Sequence, residues 1–219
     1  MKRELREKII RAREFLGKRL YAPGDFTDEE YDRMGDTMSD SFEGYRMLEW
    51  GLGTADYDSR RSFFTLELKS YSDISLIVAD GSDINSLAVL CPSNSISPPI
   101  SSYMKNGIFK VLGNIGLVAV IRLMRYNERL IGIRTSLVGK SPWYLYFLGT
   151  RKDSQGRGLG GRLMEEITAY MDLIGEDVYI ETNEVSNVDF YAKYDFELLD
   201  EFTQADFKGY CLYRRHKEK

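Results

Sequence analysis

Histidine is nearly absent: His216 is the only one in 219 residues, and it lies in a basic C-terminal tail. That excludes a zinc centre built on histidines and a Ser-His-Asp triad. Cysteine is scarce as well. Cys91 and Cys211 stand far apart, and neither belongs to a pair with metal-ligand spacing, so no metal and a reducing, cytoplasmic setting are expected. No secretory signal opens the chain, because Met1 to Leu20 hold Glu4, Glu7 and Glu14 among many Lys and Arg and contain no continuous apolar core. Charge of one sign is lacking too. With 30 Lys and Arg against 34 Asp and Glu, the formal net charge is −4, which invites neither nucleic acid nor an anionic membrane surface. Any anionic ligand must be held by a local site.

Long hydrophobic runs are missing. The best candidate, Ile108 to Leu123, is broken by Lys110, Asn114 and Arg122 and carries two glycines, so it is poorly suited to span a bilayer and reads as a buried helix of a soluble protein. What is present suffices for one sizeable core, since 43% of residues are hydrophobic. One domain over 1–219 is expected, with 1–24 as a helical extension in which Leu5, Ile9, Phe15, Leu16 and Leu20 recur at roughly helical spacing. The acidic stretch holding Asp25, Asp28, Glu29, Glu30, Asp32, Asp36 and Asp40 follows this basic helix. Opposite charge predicts that the two segments pack as neighbours, a solvated helix pair; the sharper alternative is an acidic mouth for a cationic substrate.

Thr27, with Glu30 completing a capping box, predicts a helix running to about Leu48, and a second helical pattern covers Ser59 to Lys69. Ile74–Val78 and Leu87–Cys91 read as a β-hairpin, and Pro92, Pro98 and Pro99 make the next stretch an irregular loop. Trp143 to Thr150 is apolar, aromatic and turn-bounded, hence a buried strand. A helix from Gly158 ended by Gly175, a strand Val178–Thr182, a short helix from Ser186 to Tyr194 and strands near Phe196–Phe202 and Tyr210–Arg214 complete the chain.

Between the Trp143 strand and the Gly158 helix lies the glycine-rich run Gln155 to Gly160, whose exposed N–H groups and helix dipole suit a diphosphate. Three phosphate patterns compete. A Walker A loop ending at Gly139-Lys-Ser141 is rejected, because Arg134 stands where glycine is needed. Gly156, Gly158 and Gly161 fit the dinucleotide fingerprint literally, with Glu181 downstream as the ribose acid. The polar spacer Arg151 to Ser154 separates that loop from its strand, however, and the chain beyond Gly161 is short for further βαβ units. The third pattern is Gln/Arg-x-x-Gly-x-Gly/Ala, met by Gln155, Gly158 and Gly160.

With that loop the sequence resembles the GNAT superfamily of N-acetyltransferases, and the later series Glu181-Thr182, Asn187, Tyr191 and Phe196 resembles the family's second signature in order and spacing. Together the matches cover about Trp143 to Phe202. The N-terminal half, a helix pair and a hairpin ending Leu90-Cys91-Pro92, resembles members nearest to puromycin acetyltransferase. Two departures stand out: Asp195 replaces the usual glycine before Phe196, and Pro142 replaces a histidine frequent in that subgroup. Aspartate tolerates the left-handed conformation better than most residues, so the turn survives.

The resemblance implies an α/β GNAT fold, a mixed central sheet with helices on both faces, and residues 143–214 as the acetyl-CoA half. Gln155, Gly156, Arg157, Gly158, Leu159 and Gly160 would hold the diphosphate, while Leu148, Gly149 and Thr150 would offer strand-edge groups to the pantetheine. Asn187 and Tyr194 would order the cofactor, with Lys152 and Lys193 near its ribose phosphate. Tyr191 is the implied general acid, Tyr194 its reserve, and Glu181 the candidate base. The acceptor is a small-molecule or peptide amine, in a site bounded by the first helices and the loop from Pro92 to Met104, with Phe63, Phe64, Tyr103 and Trp143 as candidate lining. The chain is expected to act as a monomer or homodimer, without nucleic acid or membrane. A non-catalytic acyl-CoA sensor or interaction module is the alternative.

Overall fold

A computed structural model describes residues 2–54, 56–93 and 97–218. Six strands form one sheet: β1 Leu76–Ala79, β2 Ser86–Cys91, β3 Trp143–Thr150, β4 Val178–Thr182, β5 Glu197–Gln204 and β6 Phe207–Arg214, in the order β1-β2-β3-β4-β6-β5. Every neighbouring pair is antiparallel except β3 and β4. That parallel pair holds register only at Trp143↔Val178 and Tyr144↔Tyr179. Beyond Tyr144 the two strands part and leave a cleft in the sheet.

The eight helices among the described residues are α1 Lys2–Leu16, α2 Asp28–Ser41, α3 Arg46–Leu52, α4 Tyr57–Tyr71, α5 Ile100–Lys105, α6 Ile108–Val138, α7 Leu159–Ile174 and α8 Val185–Ala192. Alternation along the strands sorts them onto two faces. Leu76, Val78, Ala88, Leu90, Trp143 and Leu145 point to a core shared with Leu16 of α1 and Leu163 and Ile167 of α7. Ile77, Leu87 and Val89 point the other way, to Met34 and Met38 of α2 and Phe64 and Leu68 of α4.

Three expectations are corrected here. The helix opened by the Thr27–Glu30 capping box stops at Ser41 rather than near Leu48, and a separate helix of about two turns begins at Arg46. The basic and acidic N-terminal helices are not neighbours, since the apolar stripes of α1 and α2 belong to opposite faces of the sheet. Each finds local partners instead: Lys8 and Arg19 pair with Glu176 and Glu166, while Asp28 and Asp36 pair with Lys69 and Arg61 of α4. Apolar burial outweighs surface charge in placing a helix.

The Ile108 helix is not buried. It extends to Val138 and exposes Phe109, Leu117, Val118 and Met124, while Val111 and Ala119 are covered. Gly116, at φ 78° and ψ 162°, interrupts the helical path and kinks it. No helix among the described residues is long and apolar enough to cross a membrane.

Candidate active site

Where β3 faces β2, Val89 pairs with Phe147 and Leu90 with Leu145, so Tyr146 is an extra residue without a partner. This β-bulge turns two consecutive side chains to one face, which a regular strand cannot do. Tyr146 and Phe147 stack there with centroids 4.0 Å apart, whereas Leu148 packs into the α7 core. Gly149 lies hard against α2: an added Cβ would come 2.7 Å from Met38 Sδ and 3.0 Å from Ser41 Oγ. Thr150 N–H donates to Ser41 Oγ at 3.1 Å, and Gln155 Nε2 returns to the Thr150 carbonyl at 3.1 Å. Those bonds fold the loop back onto the end of its strand.

The spacer after β3 is a single 3-10 turn, Lys152–Ser154. Gly156 and Gly158 then adopt φ +76° and +78°, conformations that cost an L-residue roughly 1–2 kcal/mol. Gly158 is the N-cap of α7 and offers no side-chain cap, so the first-turn N–H groups remain directed out of the helix. Gly160 and Gly161 keep that mouth clear, because a Cβ would meet Thr150 Oγ1 at 3.2 Å and Tyr194 Oη at 2.8 Å respectively. Positive-φ glycines beside an uncapped helix N-terminus fit a diphosphate. Arg157 is held by its bond to the Asp153 carbonyl at 3.1 Å, and Lys152 pairs with Glu43.

A cavity of about 1160 Å³ runs from this loop through the cleft to the far side of the sheet. It brings together Leu148, Gly149, Thr150, Gln155, Gly156, Gly158, Leu159, Gly160, Glu181, Asn187, Tyr191 and Tyr194. Arg157 is not on its wall. Tyr191 is 4% exposed, and its ring packs against Phe190 and Phe196. Burial raises its pKa above the usual tyrosine value, so the hydroxyl keeps its proton. Asn187 donates to Thr182 Oγ1 at 2.9 Å and lies inside α8, not at its cap. Asp195 takes φ 63°, the left-handed turn expected of it.

Glu181 is almost wholly enclosed. Arg134, from the last turns of α6, stands 3.6 Å from its Oε1 with both side chains 5% exposed or less. Among the described residues no hydrogen bond of good geometry reaches either carboxylate oxygen, although the polar groups of Tyr144, Tyr179 and Arg134 all approach it. Burial raises the Glu181 pKa; the Arg134 charge, with Tyr144 and Tyr179 nearby, works against that rise.

At the other end of the cavity Phe63, Phe64 and Tyr103 are lining residues, as expected. Trp143 is corrected: it lies in the core with α7, one residue out of phase with Tyr144. Part of the expected loop boundary, residues 94–96, lies outside the described residues. Sequence reasoning missed Glu67 of α4, which accepts hydrogen bonds from Tyr146 Oη at 2.7 Å and Tyr103 Oη at 3.4 Å. Burial pushes its pKa up to about 7. A glutamate between Leu66 and Leu68 on an otherwise buried helix face was the available signal. Tyr45 was missed also; its hydroxyl accepts the Asn183 N–H at 2.7 Å just past β4.

Residues 119–210 match the acetyltransferase (GNAT) domain. The match runs from the middle of α6 to β6 and takes in the cleft, the loop and the Tyr191 helix. Solved structures agree on the fold. One is described as a histone acetyltransferase HPA2 and related acetyltransferase from Corynebacterium glutamicum, with TM-score 0.63 and 16% identity over 91% of this chain and 97% of that one. Another is arylalkylamine N-acetyltransferase 2 from Aedes aegypti, with TM-score 0.56 and 12% identity over 91% of this chain and 99% of that one. No curated protein matches the chain significantly in sequence.

Proposed function

We propose that the protein is an N-acetyltransferase that moves an acetyl group from acetyl-CoA to a primary amine by direct attack. The observation carrying this reading is the continuity of the cavity from the glycine loop, through the opened β3–β4 edge, to Tyr191 and the two buried glutamates. Acetyl-CoA bound there supplies an activated thioester carbonyl.

The loop residues Gln155 to Gly160 would bind the diphosphate, and the bulged strand from Leu148 to Thr150 would orient the pantetheine with main-chain groups. Thr150 N–H is already taken by Ser41, and Gly149, two residues from the Arg151–Asn85 bond, turns its N–H to β2, which leaves Leu148 as the better-placed donor. Tyr194, over the first turn of α7, and Asn187 close the site. Tyr191 lines the cleft and keeps its proton, and it is the residue we assign to protonate the departing thiolate. Glu181, through water, takes the surplus proton from the acylated nitrogen.

Thermal-shift titration with acetyl-CoA, CoA and NAD is the first test: a ligand at about 100 times its dissociation constant adds about 2.7 kcal/mol of stability. CoA species are expected to stabilise the protein and NAD is not. Thiol release against a panel of amines then separates an enzyme from a silent CoA binder. No stabilisation by either CoA species would refute the reading.

A further inference from the structure

Glu67 lines the acceptor end of the cavity and is 8% exposed. Tyr146 and Tyr103 both donate to its Oε2, and Oε1 receives no hydrogen bond from a described residue. No ion pair joins this carboxylate to a cation among the described residues. The groups around it come from several elements: Tyr71 on α4 itself, Cys91 on β2, Tyr146 on β3 and Tyr103 on α5. Burial raises the pKa of all four, so they are uncharged at neutral pH. Arg134 of α6 acts on Tyr71 and Cys91 from further away, and its charge is matched by Glu181. Glu67 is therefore the one buried carboxylate of this cavity without a counter-charge among the described residues, whereas Glu128 and Glu184 on the same wall are exposed and half-buried; an isolated buried charge is costly.

The walls around it are apolar and flat. Phe42 and Phe64 approach to 5.0 Å between centroids, Phe64 and Phe147 to 5.3 Å, and Ile115 and Leu123 of α6 close the other side. One acidic group inside an aromatic enclosure recognises one cation on an apolar body.

We propose that Glu67 is the ammonium anchor of the acceptor site, and that the acceptor is a primary monoamine carried on an aromatic or branched apolar body. This rests on the acetyltransferase reading only in naming that end of the cavity the acceptor site. The amine arrives as R–NH3+; the Glu67 carboxylate takes one proton, leaving neutral R–NH2 with its lone pair free and a neutral carboxylic acid, which later returns the proton to solvent. A polyamine is disfavoured at Glu67 itself, where the surrounding walls are apolar, Glu181 is balanced by Arg134, and the remaining carboxylates of the cavity, Glu128 and Glu184, are exposed or half-buried and keep their hydration.

Isothermal titration of the full chain with 2-phenylethylamine, with and without CoA, tests the proposal. Binding is expected to be at least tenfold tighter than that of spermidine or of the uncharged 2-phenylethanol. It should strengthen from pH 6 to pH 8 as Glu67 ionises. Glu67→Gln should weaken amine binding at least tenfold and flatten that pH slope, while stabilisation by acetyl-CoA stays as in the wild type. The wild-type pH slope and the alcohol comparison need no variant. Equal amine binding by E67Q, tighter binding of spermidine, equal binding of the alcohol, or no binding of 2-phenylethylamine would each overturn the proposal. Loss of acetyl-CoA stabilisation in the wild type would instead sink the acetyltransferase reading, and the amine titration would still decide the role of Glu67.

Discussion

Arg134 Nη1 stands 3.6 Å from Glu181 Oε1, and the two side chains, 2% and 5% exposed, tie the end of α6 to β4 beside the cleft. The Arg134 guanidinium also lies 4.3 Å from the Tyr144 ring centroid. Removing one member of a buried pair strands the other charge, a loss of about 3–5 kcal/mol, whereas replacing both by apolar residues is often neutral. Arg134→Met alone should therefore lower unfolding stability by about 3 kcal/mol in urea titrations. The double variant R134M/E181M should recover most of that loss. Equal stability of R134M and wild type would show that the pair is not structural.

Glu67 makes stability depend on pH in the direction opposite to an ordinary paired carboxylate. Its pKa is raised from 4.5 to about 7 by burial. The neutral form is thus favoured in the folded state, and its contribution is complete below about pH 4.5 and lost as pH rises through 7. The full effect is on the order of 3 kcal/mol. Unfolding free energies of wild type and E67Q should converge near pH 4.5 and separate towards pH 8, with E67Q the more stable there. A difference that stays constant across that range would contradict the raised pKa.

The proposed cofactor half was legible because its signals are local. A strand, a polar turn and glycines at Gly156 and Gly158 dictate their own geometry, and the left-handed Asp195 follows from its position before Phe196. The proposed acceptor half depends on relations between distant segments. Glu67, Arg134 and Tyr45 gain meaning only when α4, α6 and the turn after α2 meet the bulged face of β3 and the end of β4. The misplacement of Trp143 has the same origin: a strand's pattern fixes that Trp143 and Tyr144 face opposite ways, but not which face carries the cavity.

Gly158 joins a backbone constraint to the binding role proposed for it. Its φ of +78° sets the start of α7, and an added methyl group would meet nothing within 4 Å, so the cost of Gly158→Ala is conformational rather than steric. Alanine pays roughly 1–2 kcal/mol in the left-handed region. The loop is then expected to shift at this residue, pulling the first N–H groups of α7 off the anion. Acetyl-CoA affinity should fall at least tenfold by calorimetry, with Tm lowered by only a few degrees. Unchanged affinity would place the diphosphate elsewhere.

The acid role proposed for Tyr191 can be separated from binding. It is enclosed by Phe190 and Phe196, and its hydroxyl makes no hydrogen bond to a described residue, so Tyr191→Phe removes one oxygen without stranding a partner. Stability and acetyl-CoA affinity should match the wild type. Turnover in the thiol-release assay should drop by about 10²- to 10⁴-fold, the range general acid catalysis supplies. The loss should grow as pH rises, because solvent becomes a poorer source of the proton that the thiolate needs. A Y191F enzyme with unaltered turnover would transfer the acid role to Tyr194, whose hydroxyl stands over Gly161 at the other rim of the cleft.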